Sequence, residues 1–344
     1  MTELSEALKD QVAGVRGPSS NEKKNTARGM LLIAVLLLLG LVMSGVAIYV
    51  SIEPRMFPVP KDKNVVGYAT TQTVIEMTSV LLHKRGGFMS NDILPPFSIL
   101  DNMPAWEKGV LVQIRDMSRA LRKDIARSQS QSTEDVDLAK AEPYYHLGMS
   151  HYMFPASEDE YRLAMDSIKS YQKRLLDTDK PGAQFYARAD NLRNWLQDVE
   201  TRLGSMSQRL SASVYATREN LDREAKGEEA VTQSTPASST FKVKTPWYEI
   251  DDVFFEARGT AWALAQLLKA IKVDFHDILE KKNAVASVDQ IIRELEATQD
   301  MVMSPVILNG GGFGLFANHS LVMANYISRA NAAIIDLRAL MQQG

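Results

Sequence analysis

The residues that most suggest chemistry are the glycines of the segment "SPVILNGGGFGLFANHS", residues 304–320. Gly312, Gly314 and Ala317 fit G-x-G-x-x-A, the pattern that joins a strand to a helix N-terminus and holds the pyrophosphate of a dinucleotide there. An apolar run, Val306 to Leu308, precedes the glycines as a strand would. The pattern therefore raises the question of a bound nucleotide.

The context of these glycines speaks against nucleotide binding. The dinucleotide pattern requires a second strand and an acidic residue about 20 positions further on. Here the spacing of apolar residues over 318–342 predicts one helix, and with the sequence ending at Gly344 we expect no second strand. We therefore expect no nucleotide and no other cofactor. A structural turn, in which glycine tolerates positive φ and close backbone contact and Asn318 caps the last helix, is the alternative. The turn comprises Gly310, Gly311, Gly312 and Gly314.

Other residue types that support catalysis or metal binding lack the spacing for it. His146 and His151 are five positions apart, so they do not share a helical face as an i, i+4 pair of ligands would, and we expect no metal site. No hydrolase, zinc-protease or kinase signature occurs. Carboxylate pairs are expected on solvated helix faces. They are Asp251-Asp252 and Asp274/Asp277. We expect no catalytic residue, while an enzyme with an unrecognised site stays open.

The segment "EARGTAWALA" is the first candidate for binding a partner. Ala257, Ala261 and Ala265 are spaced by four, which indicates a close helix–helix contact. Arg258 and Trp262 lie beside that contact. The favoured interpretation is packing with one buried or peripheral ion pair. The alternative is a partner groove with Arg258 and Trp262 as anchors, since both residue types are common at binding hot spots.

A second candidate is a basic stripe formed by Arg115, Arg119 and Arg122, which Lys123 and Arg127 extend. Like charges four positions apart cost a few tenths of a kcal/mol unless acidic neighbours offset them. One interpretation pairs the stripe with an acidic helix such as the one that opens at residues 158–160. The other is contact with anionic lipid headgroups or an acidic partner.

One segment is apolar enough to cross a membrane. Residues 29–52 carry no charge and, at about 1.5 Å per residue, span a hydrocarbon core of roughly 30 Å. The run is longer than a signal peptide requires, so an uncleaved anchor is predicted. A slight excess of positive charge on its N-terminal side favours a cytoplasmic N-terminus. The charges are Arg16, Lys23, Lys24 and Arg28 before the segment and Arg55, Lys61 and Lys63 after it.

Beyond the anchor, the sequence predicts an elongated all-α bundle with coiled-coil-like seams, because apolar residues alternate at spacings of three and four. The seams run over 104–128, 157–175, 185–210, 250–278 and 318–342. Ser157 and Glu160 fit a capping box. The predicted divisions are a short disordered tail (1–28), the transmembrane helix (29–52), a Pro-rich spacer (53–66) and a helical domain (67–344) with a mobile loop at 226–240.

Composition narrows the classes of function. The net charge of −3 leaves no basic field for nucleic acid, and the absence of cysteine excludes disulfides and thiolate metal sites.

Several long stretches also resemble one family, the uncharacterised proteobacterial inner-membrane proteins known as domain of unknown function 2333. The stretches are "GFMSNDILPPFSILDNMPAWEKGVLVQIRD", "RSQSQSTEDVDLAKAEP", "AQFYARADNLRNWLQDVETRLGSMSQRLSAS", "EARGTAWALAQLLKAI" and the glycine segment. The resemblance implies a Gram-negative envelope protein with a single N-terminal span, and it transfers no catalytic or binding residue.

These observations predict a single-pass inner-membrane protein with a periplasmic helical domain. It would act as a scaffold or adaptor that binds another envelope protein or a second copy of itself, with the lipid bilayer as a further partner. The alternatives are a sensor-type bundle that binds a ligand and signals through a partner protein, and an envelope hydrolase.

Overall fold

A computed structural model describes residues 20–128, 132–177, 179, 182–214, 216–219, 240–302, 304, 306–311 and 315–342. The chain divides into two units, Met1–Ile52 and Glu53–Gly344. In the first unit, helix α1 (Ser20–Val50) begins before the apolar run, so residues 20–28 of the predicted tail are helical. Its segment Arg28–Val50 is long and apolar enough to cross a membrane, and no residue of the most apolar stretch is buried.

The second unit is built from helices, which confirms the all-α prediction. In chain order they are α2 (Tyr68–His83), α3 (Asn102–Ala120), α4 (Val136–Tyr145), α5 (Ser157–Leu175), α6 (Ala189–Ser211), α7 (Ile250–Asp274), α8 (His276–Lys281), α9 (Val285–Ala297) and α10 (His319–Gln342). A π-helical turn (Leu121–Ile125) continues α3, and 3₁₀ turns precede α3 and α7. Two short strands, β1 (Ala216–Glu219) and β2 (Thr240–Val243), pair antiparallel.

Helix α7 forms the centre of the second unit. It packs against α2, α3 and α9, so it is covered on several sides. The apolar residues spaced by three and four along it are buried, and so are polar residues between them, including Glu256, Arg258 and Gln266. A helix that is buried around its circumference must carry its polar side chains into the interior, where each needs a partner.

Contacts between helices define two ends of this unit. Arg209, late in α6, bonds Glu256, early in α7, while Arg202 bonds Asp116 further along α3. Helices α3 and α7 therefore run parallel, and α6 runs antiparallel to both. One end, called the Glu53 end, contains Glu53 and the turns at 84–101, 146–156, 244–249, 298–302 and 315–318. The opposite end contains the turns at 62–67, 121–128, 182–188 and 275–284.

Three local predictions differ from the structure. Helix α7 ends at Asp274 rather than near residue 278, because Phe275 leaves helical geometry with φ −104° and ψ 19°. Helix α6 begins at Ala189, and residues 182–188 are not helical. Ser157 does not form a capping box, because its hydroxyl donates to the carbonyls of Gly148 and His151 at 2.7 and 3.0 Å.

Two predicted segments fall largely outside the residues that the structure describes. The predicted mobile loop at 226–240 lies outside the described residues except for Thr240, which starts β2. Residues 1–19 of the predicted tail also lie outside them.

Candidate functional site

Arg258 joins three segments of the second unit. Its Nε donates to Glu53 Oε1 and Oε2 at 2.7 and 2.9 Å, and its Nη1 donates to the carbonyl oxygens of Thr298 and Asp300 at 2.9 Å each. Thr298 follows the last residue of α9, so the guanidinium caps that helix at its negative end. Only 7% of the Arg258 side chain is exposed. A planar cation with five donors suits such a junction.

Trp262, one turn further along α7, is also enclosed. Its ring meets Phe57 edge-on at 5.9 Å and Trp106 at 5.3 Å between ring centroids. One more turn along, Gln266 donates to the carbonyl oxygen of Phe57 at 3.1 Å. The first residues of the predicted Pro-rich spacer therefore lie against α7.

The close helix contact on this stretch is made by glycines. A Cβ on Gly259 would lie 2.1 Å from the carbonyl oxygen of Trp106, and one on Gly109 would lie 2.2 Å from that of Glu256. Helices α3 and α7 thus touch backbone to backbone. The sequence pointed to the contact through alanines, whereas the glycines that make it were missed. Arg258 and Trp262 are both occupied by packing within the domain.

The arginines of the basic stripe are held by contacts within the domain as well. Each arginine donates hydrogen bonds to nearby acceptors, and none of the three pairs with residues 158–160, so that expected partner was wrong. The contacts are Arg115 to the carbonyls of Tyr145 and Leu147, Arg119 to Asp116 and Asp198, and Arg122 to Glu134 and Glu142. The hydrogen bond that Arg122 donates to Glu142 raises the pKa of Arg122 above its usual value. The acids come from α3, α4, α6 and the segment before α4.

Lys123 and Arg127, which extend the stripe, line a polar groove at the opposite end of the domain. We call it the π-turn groove. The π-helical turn after α3 directs Lys123 and Asp124 toward α6, where Asn194 donates to Asp124 at 3.0 Å. Cavities of about 450 and 380 Å³ open on either side of this contact. They share Lys123, Asp124 and Asn194, and are further lined by Arg119, Ala120, Arg127, Ser128, Arg188, Asp190, Asn191, Trp195, Gln197 and Asp198.

The charge of Lys123 distinguishes this groove. Its side chain is exposed, and within the described part of the chain no carboxylate lies within ion-pair distance of its ammonium group. Arg188, by contrast, is held by Asp190 and by the carbonyl of Ser128. A π-helical insertion is uncommon and frequently marks a functional site. The apolar spacing predicted a regular helix here, so only the structure reveals the groove.

The prediction that Asp274 is a solvated carboxylate is wrong. Asp274 is buried at the end of α7 and caps α2, because its two oxygens accept from the backbone N–H groups of Gly67 and Thr70 at 2.8 and 2.6 Å. Burial raises the pKa of this carboxyl. Because the donors lie over 200 positions away, no local pattern reveals the contact.

The two described ends of the glycine segment, 308–310 and 317–319, pair with each other before α10. Gly310 donates its N–H to the carbonyl of Ala317, and His319 donates to that of Leu308, each at 3.0 Å. Asn318 Oδ1 accepts from the N–H of Leu321 at 2.8 Å in the first turn of α10. A Cβ on Gly310 would lie 2.0 Å from the carbonyl oxygen of Phe316. Gly312 and Gly314 lie outside the described residues, and a Cβ on Gly311 would meet nothing within 4 Å.

Among the described residues, no group of three or more His, Asp or Glu side chains is arranged to hold a metal ion. The histidines serve local contacts. His319 Nδ1, for example, accepts from the N–H of Leu308 at 3.1 Å.

Comparison with known proteins identifies the family of the chain. The profile of a family described as an uncharacterised protein conserved in bacteria (DUF2333) matches residues 21–344. Neither curated proteins nor solved structures give a match. Because the matched region includes α1 and the helical unit, the chain belongs to this family of uncharacterised bacterial proteins.

Proposed function

We propose that this protein is a membrane-anchored adaptor, whose helical domain lies outside the cytoplasm and binds another component of the cell envelope without catalysis. Helix α1 would cross the inner membrane of a Gram-negative cell once, with a cytoplasmic N-terminus. The length and apolarity of Arg28–Val50 support the anchor. The excess of basic residues before it supports the orientation.

The observation that carries the binding role is the π-turn groove, which contains the ammonium group of Lys123 with no carboxylate partner among the described residues. The groove lies at the end of the domain away from Glu53, the residue at which the domain begins. A partner there would approach without displacing the chain that emerges from the anchor. The mixed charges of the groove suit a polar partner that presents a carboxylate or phosphate to Lys123.

Site-specific photo-crosslinking in the native membrane tests this role. A photoreactive amino acid at position 194 should give a discrete crosslinked product. Lys123→Glu should remove that product, because it reverses the charge of the cation that has no carboxylate partner among the described residues of the groove. Lys169→Glu, on the exposed face of α5, is the matched control and should leave the product unchanged. The proposal is contradicted if the product persists in the Lys123→Glu variant. It is also contradicted if a photoreactive amino acid at position 169 gives an equal yield of the product.

A reporter fusion tests the orientation separately. Alkaline phosphatase folds and is active only outside the cytoplasm, so a fusion after residue 344 should be active. An inactive fusion that is present at a normal level would reverse the proposed topology.

A second candidate function is a sensor-type bundle. Arg258 favours it, because one side chain links the segment after α1 to α7 and α9, and a ligand that shifts these helices would pull on that segment. A sensor predicts that a small ligand raises the melting temperature and changes crosslinking near Glu53, whereas an adaptor requires a macromolecular partner. A third candidate, an envelope hydrolase with an unrecognised site, would show turnover in a substrate screen.

A further inference from the structure

We infer that the Glu53 end of the domain inserts apolar loop side chains into the surface of the bilayer that α1 crosses. This inference rests on the proposed role of α1 as a membrane span. It adds a second, peripheral contact with the same membrane, made by the helical domain itself.

Four separate turns carry large apolar side chains at this end. They precede α3, α5, α7 and α10, and each leaves at least one large side chain mostly exposed to solvent. The exposed fractions are 70% for Leu94, 91% for Phe154, 83% for Trp247 and 102% for Leu315. Soluble proteins rarely concentrate such side chains, because each exposed ring or branched chain forgoes the free energy of burial.

The rest of the domain lacks this feature. Among the residues of 53–344 whose side-chain exposure the structure describes, every exposed aromatic ring lies at the Glu53 end. The rings are those of Tyr152, Phe154, Trp247, Tyr248 and Phe316. Exposed large apolar residues at the opposite end and along the helices are aliphatic and single, as is normal for a protein surface. They include Val66, Val136 and Leu163.

The continuity of the chain identifies the bilayer as the surface that covers these loops. Glu53 follows Val50, the last residue of α1, by three positions, which is at most about 10 Å of extended chain. Arg258 holds Glu53 inside the domain, so the Glu53 end cannot move far from the end of the span. Tryptophan and tyrosine are the residues that favour the interface between lipid and water.

Charge indicates which contribution drives the contact. Asp101, Glu249, Asp251 and Asp252 lie close to one another in or beside the turns at the Glu53 end. Lys84, Arg85 and Lys244 lie in the same turns, so the charge at this end is mixed and gives no one-sided attraction to anionic headgroups. Apolar insertion therefore dominates, and neutral lipid suffices.

Single-cysteine labelling of the full chain tests this inference, because the natural sequence contains no cysteine. Leu94, Phe154, Trp247 and Leu315 would each be replaced by cysteine, labelled with an environment-sensitive fluorophore and reconstituted in neutral phosphatidylcholine vesicles. A quencher attached to the lipid near the headgroup should quench these labels several-fold more than a label at Val136→Cys. Val136 is the matched control, because it is 65% exposed at the opposite end. Far-UV circular dichroism verifies that each labelled chain is folded.

A label at Leu38→Cys, within α1, separates the inference from the proposal beneath it. Quenching of Leu38→Cys by a deep quencher, with loop labels no more quenched than Val136→Cys, overturns the inference and leaves the anchor intact. If Leu38→Cys itself is not quenched, the anchor proposal fails and the inference fails with it. Loop labels that are shielded from water but not quenched by lipid also overturn it, because a protein would then cover them.

Discussion

Arg258 and Glu53 form a two-pronged ion pair inside the domain, with Arg258 Nη2 2.5 Å from Glu53 Oε2 and Nε 2.7 Å from Oε1. The two residues differ in the number of other hydrogen-bond partners that they have. Arg258 also donates to three consecutive carbonyl groups beyond α9, whereas among the described residues Glu53 is held by Arg258 alone. The pair fastens the start of the domain to its central helix.

We expect Arg258→Met to lower the free energy of unfolding by about 3 kcal/mol, because it leaves a partly buried carboxylate and several carbonyl oxygens without a partner. Glu53→Gln should cost about 1 kcal/mol, since the arginine keeps its carbonyl acceptors. Chemical denaturation followed by circular dichroism measures both. Lys269→Met is the control on the same helix, where the ion pair with Glu296 is partly exposed and worth at most about 1 kcal/mol. Equal losses for Arg258→Met and the control would contradict the role of Arg258.

The crossing of α3 and α7 should not tolerate a methyl group. Gly109→Ala and Gly259→Ala would each place a Cβ about 2 Å from a backbone atom of the other helix. Only a shift of a whole helix relieves such a clash, so we expect losses of about 1–3 kcal/mol or more in each variant. Thermal unfolding monitored at 222 nm checks this.

Gly204 supplies a matched control for that experiment. It also lies within a helix, but its nearest neighbour to a new Cβ is Asn331 Nδ2 at 3.6 Å, an ordinary contact. Gly204→Ala should therefore raise stability by about 1 kcal/mol, as alanine favours helices over glycine. If all three alanine variants behave alike, the crossing is looser than the structure indicates.

Asp252 should make the domain less stable as the pH rises. Burial first, and then repulsion from Asp101, Asp251 and Glu249, raises the pKa of Asp252 to about 6, while Lys108 opposes the shift. Its Oδ1 finds no hydrogen-bond donor among the residues that the structure describes. The unfolded chain releases this proton near its usual pKa of about 3.9, so the folded state binds more protons between about pH 4 and 6. Stability from this group is present below about pH 4 and is lost as the pH rises through 6.

Asp252→Asn removes this dependence. We expect the variant to be more stable than the natural protein at about pH 8, and the difference to vanish near pH 3.5. Because the side chain is partly exposed, solvent screening limits the gain to about 1 kcal/mol. Denaturation curves at both pH values measure it. A variant that is less stable at pH 8 would mean that the carboxylate has a stabilising partner.

The glycine segment should respond to substitution by steric conflict rather than by loss of a ligand. Gly310→Ala should lower the melting temperature markedly, because its Cβ would overlap the carbonyl oxygen of Phe316. Gly311→Ala, where space is open, is the neighbouring control and should have little effect. Asn318→Ala should cost about 1 kcal/mol through the lost cap on α10.

A nucleotide titration tests the same segment for binding. NAD or ATP at millimolar concentration should leave the melting temperature unchanged, since a ligand at 100 times its dissociation constant would stabilise the protein by roughly 2.7 kcal/mol. A clear rise that Gly314→Val abolishes would show that the dinucleotide pattern is functional.

Local patterns in the sequence were enough to determine the class of the fold. Three of these patterns are local in sequence. They are the uncharged run in α1, the three-and-four spacing along α7 and the asparagine before α10. Hydrophobic periodicity and helix capping are short-range properties, so a single sequence reveals them. Even so, α7 ends at Asp274, about one turn earlier than the spacing predicts, and the side chain of Asp274 is bound by Gly67 and Thr70, far away in the chain.

Tertiary structure alone decided which polar residues meet. The sequence indicated that Arg258 lies beside a helix contact, but its partner Glu53 is 205 positions away. The stripe of arginines looked available to lipid until α3, α4, α6 and the segments beside α4 supplied its acceptors. Lys123, by contrast, has no carboxylate within ion-pair distance in the described part of the chain. The gathering of Leu94, Phe154, Trp247 and Leu315 at one end likewise follows from the directions of four helices. Helix direction and register depend on packing of the whole domain, and no local spacing encodes them.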